Sequence, residues 1–165
     1  MRQYFKSLAL AALLACGGVL TLHAAPAANV QQKDQINWLT DFSQASALAK
    51  KESKPLFLYF TGSDWCPWCK KMDKEIISTT GFQKALGNSC IFVYLDFPHY
   101  TALDKKTQEQ NEGLMKTYGV RGFPTVILLD PNQKKIAQLG YEQGGGEAFA
   151  EKVQKTLETY AKTQH

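Results

Sequence analysis

Cysteine and histidine are scarce in this chain: 165 residues hold four of the first and three of the second. A structural zinc site normally takes four tetrahedral ligands from pairs at short spacing. Beyond Cys66 and Cys69, the chain past its leader offers Cys90, His99 and His165, with no second pair at ligand spacing. Covalent haem attachment needs histidine directly after the second cysteine, and Lys70 stands there. No cofactor and no metal are expected. Long apolar runs are missing too. The run from Leu8 to Leu22 is interrupted by Gly17, Gly18 and Thr21 and falls short of the roughly 20 residues a membrane-spanning helix needs. Neither sign of charge dominates, since the 19 basic residues less Arg2 and Lys6 leave 17 against 15 acidic, a formal charge of +2. Nothing in that balance calls for nucleic acid or an anionic membrane surface.

The chain does open with a recognisable export signal. Arg2 and Lys6 precede the apolar run, and HAAPAA follows it, which is the order of basic, apolar and small-residue zones in a secretory leader. We read 1–28 as a cleaved signal peptide, 29–34 as a linker and 35–165 as one folded domain. An alternative is a lipobox at LLAC, residues 13–16, with Cys16 as a lipidated first residue. Either way the protein is expected in the periplasm. Three cysteines then remain, an odd number with one close pair, which argues against a scattered disulfide framework.

Hydrophobic patterning divides the domain into alternating elements. INWLTDF predicts a short strand, and Ser43 is expected to cap a helix over SQASALAKKES that ends at Pro55. LFLYF, residues 56–60, is apolar without alternation, as in a strand covered on both faces. The helix CKKMDKEII, a short helix over TTGFQKALGN and a second buried strand, CIFVYLDF, follow. Residues 97–110 form a polar connection to a helix carrying Leu114, Met115 and Tyr118 and closed by Gly119. TVILLD and KKIAQLG flank a tight turn at Asp130-Pro131-Asn132-Gln133, and EAFAEKVQKTLETYA ends the chain as an amphipathic helix. The expected order is β, α, β, α, β, α, β, β, α, an α/β fold with a mixed central β-sheet flanked by helices on both faces.

The pair in DWCPWCK, residues 64–70, is then a staple or a reagent. A disulfide closing so short a loop adds little stability, because the loop-entropy gain grows with loop length. A reagent fits better. Cys66 falls at the start of a helix, where unpaired N–H groups and the helix dipole favour a thiolate. Cys69 lies one turn later on the same face and can resolve a mixed disulfide. Pro67 suits the first turn because it needs no N–H donor. Cys90 is expected to pack as a small hydrophobe, and His99 to be solvated. Trp68 is expected at an exposed rim and Trp65 to be the more buried of the two.

WCPWCK after an apolar strand, together with GFPT at residues 122–125, resembles the thioredoxin superfamily. FTGSDWCPWCKKMDKEI is similar to its exported bacterial branch, of the DsbH and DsbD C-terminal type. The resemblance spans roughly Ile36 to Tyr160 and implies the thioredoxin fold, a redox-active Cys66–Cys69 disulfide as the catalytic pair, and a cis Pro124. It also implies a substrate surface of Trp65, Pro67, Trp68, Phe123, Pro124 and Thr125, with Phe123 and Thr125 offering backbone groups to an extended segment. The partners it implies are disulfide-bearing exported proteins and a membrane or periplasmic thiol electron donor such as a DsbD-like protein, with the chain acting as a monomer. One departure stands out. The buried aspartate on the strand before the motif is replaced by Tyr59 or Phe60, which leaves Asp64, Glu75 and water as candidate proton acceptors for Cys69.

Direction follows from how strongly the reduced thiolate is stabilised. Thioredoxin lies near about −270 mV and the oxidant DsbA near about −120 mV. Pro67-Trp68 supplies neither charge nor imidazole, so the expected activity is that of a protein-disulfide reductase. The alternatives are a disulfide oxidase or isomerase, or a non-catalytic thioredoxin-fold binding or assembly factor.

Overall fold

A computed structural model describes residues 35–164. The expected leader, its lipobox at Cys16 and the linker 29–34 lie outside the described residues, as does His165. Among the described residues no helix is long and apolar enough to cross a membrane.

Five strands form one sheet: β1 (Trp38–Leu39), β2 (Leu56–Thr61), β3 (Ile91–Asp96), β4 (Thr125–Leu129) and β5 (Lys135–Leu139), in the spatial order β1-β3-β2-β4-β5. β1 and β2 run parallel to β3, while β4 is antiparallel to both β2 and β5. The helices are α1 (Phe42–Glu52), α2 (Pro67–Met72), α3 (Thr80–Leu86), α4 (Lys105–Thr117) and α5 (Gly145–Lys162).

β2 shows why an apolar run can still have two faces. All six of its residues are buried, yet the two-residue period sorts them. Leu56, Leu58 and Phe60 pack in one core with Ala45, Ala49 and Leu114, on the side of α1 and α4. Phe57 and Tyr59 pack in the other with Met72, Ile76, Phe82 and Val153, on the side of α2, α3 and α5. Both faces are dry, so polar alternation is absent.

Several boundaries differ from the sequence reading. The cap of α1 is Asp41, not Ser43: its carboxylate accepts the Gln44 N–H at 3.0 Å, and Ser43 lies inside the first turn. The helix closes at Ser53, whose left-handed backbone turns the Lys54 N–H back to Ala49 O at 3.0 Å, before Pro55 is reached. Beyond α2 the chain widens into a π-helical turn, Asp73–Ile77, in which Ser78 N–H donates to Asp73 O at 2.9 Å. Thr79 then caps α3. The expected helix CKKMDKEII is therefore α-helical only to Met72 and ends in a π turn, and the short second helix follows as expected. Half of the supposed connection 97–110 is helical, because Asp104 accepts both the N–H and the hydroxyl of Thr107 and starts α4 at Lys105. The β4–β5 turn follows its residue types, with the Asp130 carboxylate accepting the Asn132 and Lys134 N–H groups.

One close approach fixes α5. A β-carbon at Gly146 would run into the Thr79 hydroxyl and meet Ile76 O at 2.9 Å. Any larger residue there would push α5 off the π turn and α3.

Candidate active site

β2 ends at Thr61, and a short turn carries the chain to Cys66, the N-cap of α2. Pro67 occupies the first helical position, where no N–H partner is needed. Cys66 has extended backbone and Cys69 sits one turn below it, so the two sulfurs meet in a disulfide with the α-carbons 5.3 Å apart. The Cys66 Sγ also accepts the Cys69 N–H at 3.2 Å. That is the bond that would hold a thiolate at the helix start. Cys69 Sγ accepts the Gly62 N–H at 3.4 Å.

Exposure separates the two cysteines only slightly: Cys66 is 4% exposed and Cys69 is 0% exposed. The outer edge therefore belongs to Cys66. Pro67 is exposed and Trp68 is 56% exposed, and Trp68 leans on Tyr141 with Lys71 over both rings. Trp65 is half-buried. The Phe123–Pro124 peptide bond is cis. Because Phe60 is in register with Thr125, Pro124 falls beside the end of β2 that leads into the cysteine turn. Phe123 and Pro124 are half-buried, whereas Thr125 is buried and its hydroxyl donates to Gly122 O. The Thr125 side chain is thus unavailable to a substrate.

Three residues carry more than the sequence reading gave them. Asp64 is not free to serve Cys69: its carboxylate accepts the backbone N–H groups of His99, Tyr100 and Thr101 at 2.9, 2.8 and 3.1 Å. Those bonds outweigh its partial desolvation and hold its carboxyl below the usual carboxylate range. Glu75 is engaged too, accepting the Tyr141 hydroxyl at 2.5 Å. His99 is not merely solvated. Its ring stacks on Trp65 at 4.2 Å and 5° between planes, and the Trp65 Nε1–H donates to Phe97 O at 2.7 Å. The loop 97–104 is thereby tied to the two residues that precede Cys66.

Asp73 is the residue that the sequence reading missed. Its own N–H donates to Cys69 O, and the buried Tyr59 hydroxyl donates to the same oxygen at 3.4 Å. Burial raises the Asp73 carboxyl above the usual range, and Asp96 adds to the rise while the Tyr59 hydroxyl opposes it. Burial likewise pushes Tyr59 up, and Tyr94 up to about 12. The Thr61 hydroxyl is buried without a hydrogen-bond partner among the described residues. An i to i+4 spacing from Cys69 was the one available signal. Cys90 is buried as expected, and burial pushes its thiol up to about 12. No cluster able to hold a metal ion occurs among the described residues.

A model of the thioredoxin-like domain matches residues 42–157. The disulfide bond reductase DsbH of Chlamydia pneumoniae is 36% identical over 116 residues, 70% of this chain and 70% of its own length. The thiol:disulfide interchange protein DsbD of Escherichia coli K12 is 32% identical over 96 residues, 58% of this chain but only 15% of DsbD. A solved DsbH oxidoreductase structure superposes with a TM-score of 0.72 at 35% identity, covering 75% of this chain and 85% of that one.

Proposed function

The chain belongs to the thioredoxin-like domain family and is a thiol–disulfide oxidoreductase, and from that premise we propose that it is an exported reductase of protein disulfides. The observation that carries the reading is Cys66 at the N-cap of α2, the less deeply buried of the two cysteines, with its sulfur accepting the Cys69 N–H. In the reduced protein the Cys66 thiolate attacks one sulfur of a substrate disulfide, and the other sulfur leaves as a thiol. Cys69 then loses its proton and attacks Cys66 Sγ. The second substrate thiol departs and the Cys66–Cys69 disulfide forms, two electrons having passed to the substrate. In this reading a thiol donor of the DsbD kind returns the pair to its reduced state, and the leader expected over 1–28 supports a periplasmic setting for the cycle. Trp65, Pro67, Trp68, Phe123 and Pro124, with the backbone of Thr125, form in this reading the surface a substrate meets.

Insulin reduction with dithiothreitol as donor tests the activity, and equilibration against glutathione tests the direction. Turnover with a potential closer to about −270 mV than to about −120 mV supports a reductase. Failure to reduce insulin would leave a binding or assembly role instead. Alkylation of the reduced protein at mildly acidic pH should mark Cys66 first and leave Cys90 untouched.

Asp73, one helical turn beyond Cys69, is the proton acceptor for Cys69 in this reading, while the Tyr59 hydroxyl donates to Cys69 O. The raised Asp73 pKa carries a sign for stability. A carboxyl held above its unfolded value favours the fold while protonated, so that contribution is complete below about pH 3.8 and is lost as pH rises through the raised folded value. Asp73→Asn, which removes the buried charge, should therefore melt higher than the native protein at pH 7, with the difference closing toward pH 4. The same variant should release mixed disulfides more slowly. A neutral-pH melting temperature that is unchanged or lower would contradict the burial of this charge.

A further inference from the structure

The loop 97–104 does more than lengthen a connection. Between it and α4 lies a groove of about 760 Å³, within the range that holds a bound ligand group. Trp65 and Phe123 form the end nearest the disulfide, their rings 6.0 Å apart and nearly perpendicular. Phe97, Leu103 and Met115 add apolar lining, and Glu112 lines the groove from α4. The carboxylates among its lining residues are Asp96, whose oxygens already accept the Ser63 N–H and hydroxyl and the Phe97 N–H, and Glu112, and no lysine or arginine lines it. In a chain with a formal charge of +4, that is a local reversal of sign. Glu112 accepts the Gln108 side-chain amide at 2.9 Å through one oxygen, and its other oxygen has no partner among the described residues.

We propose that this groove is a substrate subsite for a lysine or arginine side chain lying close in sequence to the cysteine under attack. Such a side chain matches the kinds of residue that line the groove. Its aliphatic stem covers the wall of Phe97, Leu103 and Met115 while its charged head reaches Glu112. The groove is built before any substrate arrives, because Asp64 holds three N–H groups of the loop and Trp65 holds the carbonyl of Phe97. Little ordering cost therefore falls on binding. Trp65 both lines the groove and precedes Cys66, so a side chain seated here delivers its neighbouring disulfide to the outer sulfur. The proposal rests on Cys66 being the attacking thiol.

The test uses the pre-reduced protein and three blocked peptide disulfides that differ at one position, two residues from the cysteine: lysine, the near-isosteric neutral norleucine, and glutamate. Second-order exchange rates follow from tryptophan fluorescence. Lysine should exceed norleucine by about two- to fivefold, the scale of a partly exposed ion pair, and glutamate should be slowest. Glu112→Gln should bring the lysine and norleucine rates together. Glu109→Gln, on the same helix but outside the groove, should keep them apart. Equal rates for lysine and norleucine in the native protein would overturn the subsite. So would a preference that survives Glu112→Gln, or one that both variants reduce equally, since the latter would mark a general field around the helix. If none of the peptides exchanges, the role of Cys66 itself falls, and the subsite with it.

Discussion

A Cys69→Ser variant is expected to accumulate a covalent adduct with disulfide-bearing substrates, while the native protein shows almost none and Cys66→Ser forms none. The geometry separates the two roles. Cys66 lies at the helix start and is 4% exposed, and Cys69 is wholly buried one turn below. Serine at position 69 leaves the attacking thiol and its N–H partner in place but removes the only sulfur among the described residues positioned to displace the substrate. A well-oriented internal group can act at effective molarities of about 10⁵ M or more, so millimolar external thiol cannot replace it and the adduct should persist for orders of magnitude longer. Nonreducing gels with a reduction step detect it directly. Equal trapping by Cys66→Ser and Cys69→Ser would reverse or erase the assignment. Cys90 offers no substitute thiol, being buried and raised to about 12.

Phe57→Ala should cost the fold about 3–5 kcal/mol, a large part of the 5–15 kcal/mol typical of a domain. Phe57 is fully buried on β2, with Trp38, Phe82 and Phe92 rings at 6.1, 5.8 and 5.1 Å. These neighbours come from β1, α3 and β3, so the cavity would open where three elements converge and could not collapse cheaply. A drop in melting temperature on the order of 10–20 °C is expected. Phe57→Leu should lose much less because it refills most of the volume. Urea unfolding of the oxidised protein measures both, and an alanine loss below about 1 kcal/mol would mean that the β2 core is not packed as described.

How much of this was legible beforehand depends on the kind of interaction. The uninterrupted runs of β2, β3 and β4 mark buried strands because both faces of the sheet are covered, and that signal is local. The same holds for Gly119, whose positive φ of 67° closes α4, and for the Asp130 turn. Caps were less legible. Asp41 and Ser43 are both acceptable capping residues, and the choice between them was made by where Phe42 packs, against the core shared by α1 and α4.

The sequence by itself determined the chemistry: two cysteines one helical turn apart, a proline between them, and a buried strand leading in. That is enough for a thiolate and its resolving partner, because helix geometry alone brings the two sulfurs together. Only the tertiary structure decided the surroundings. Asp64 lies 35 residues before His99, and nothing in either segment shows that one clamps the other. Asp73 reads as one more charge on a polar helix until β2 and β3 bring Tyr59 and Asp96 beside it. Burial and long-range pairing set these roles, and both are properties of the folded chain that no short stretch of residues carries.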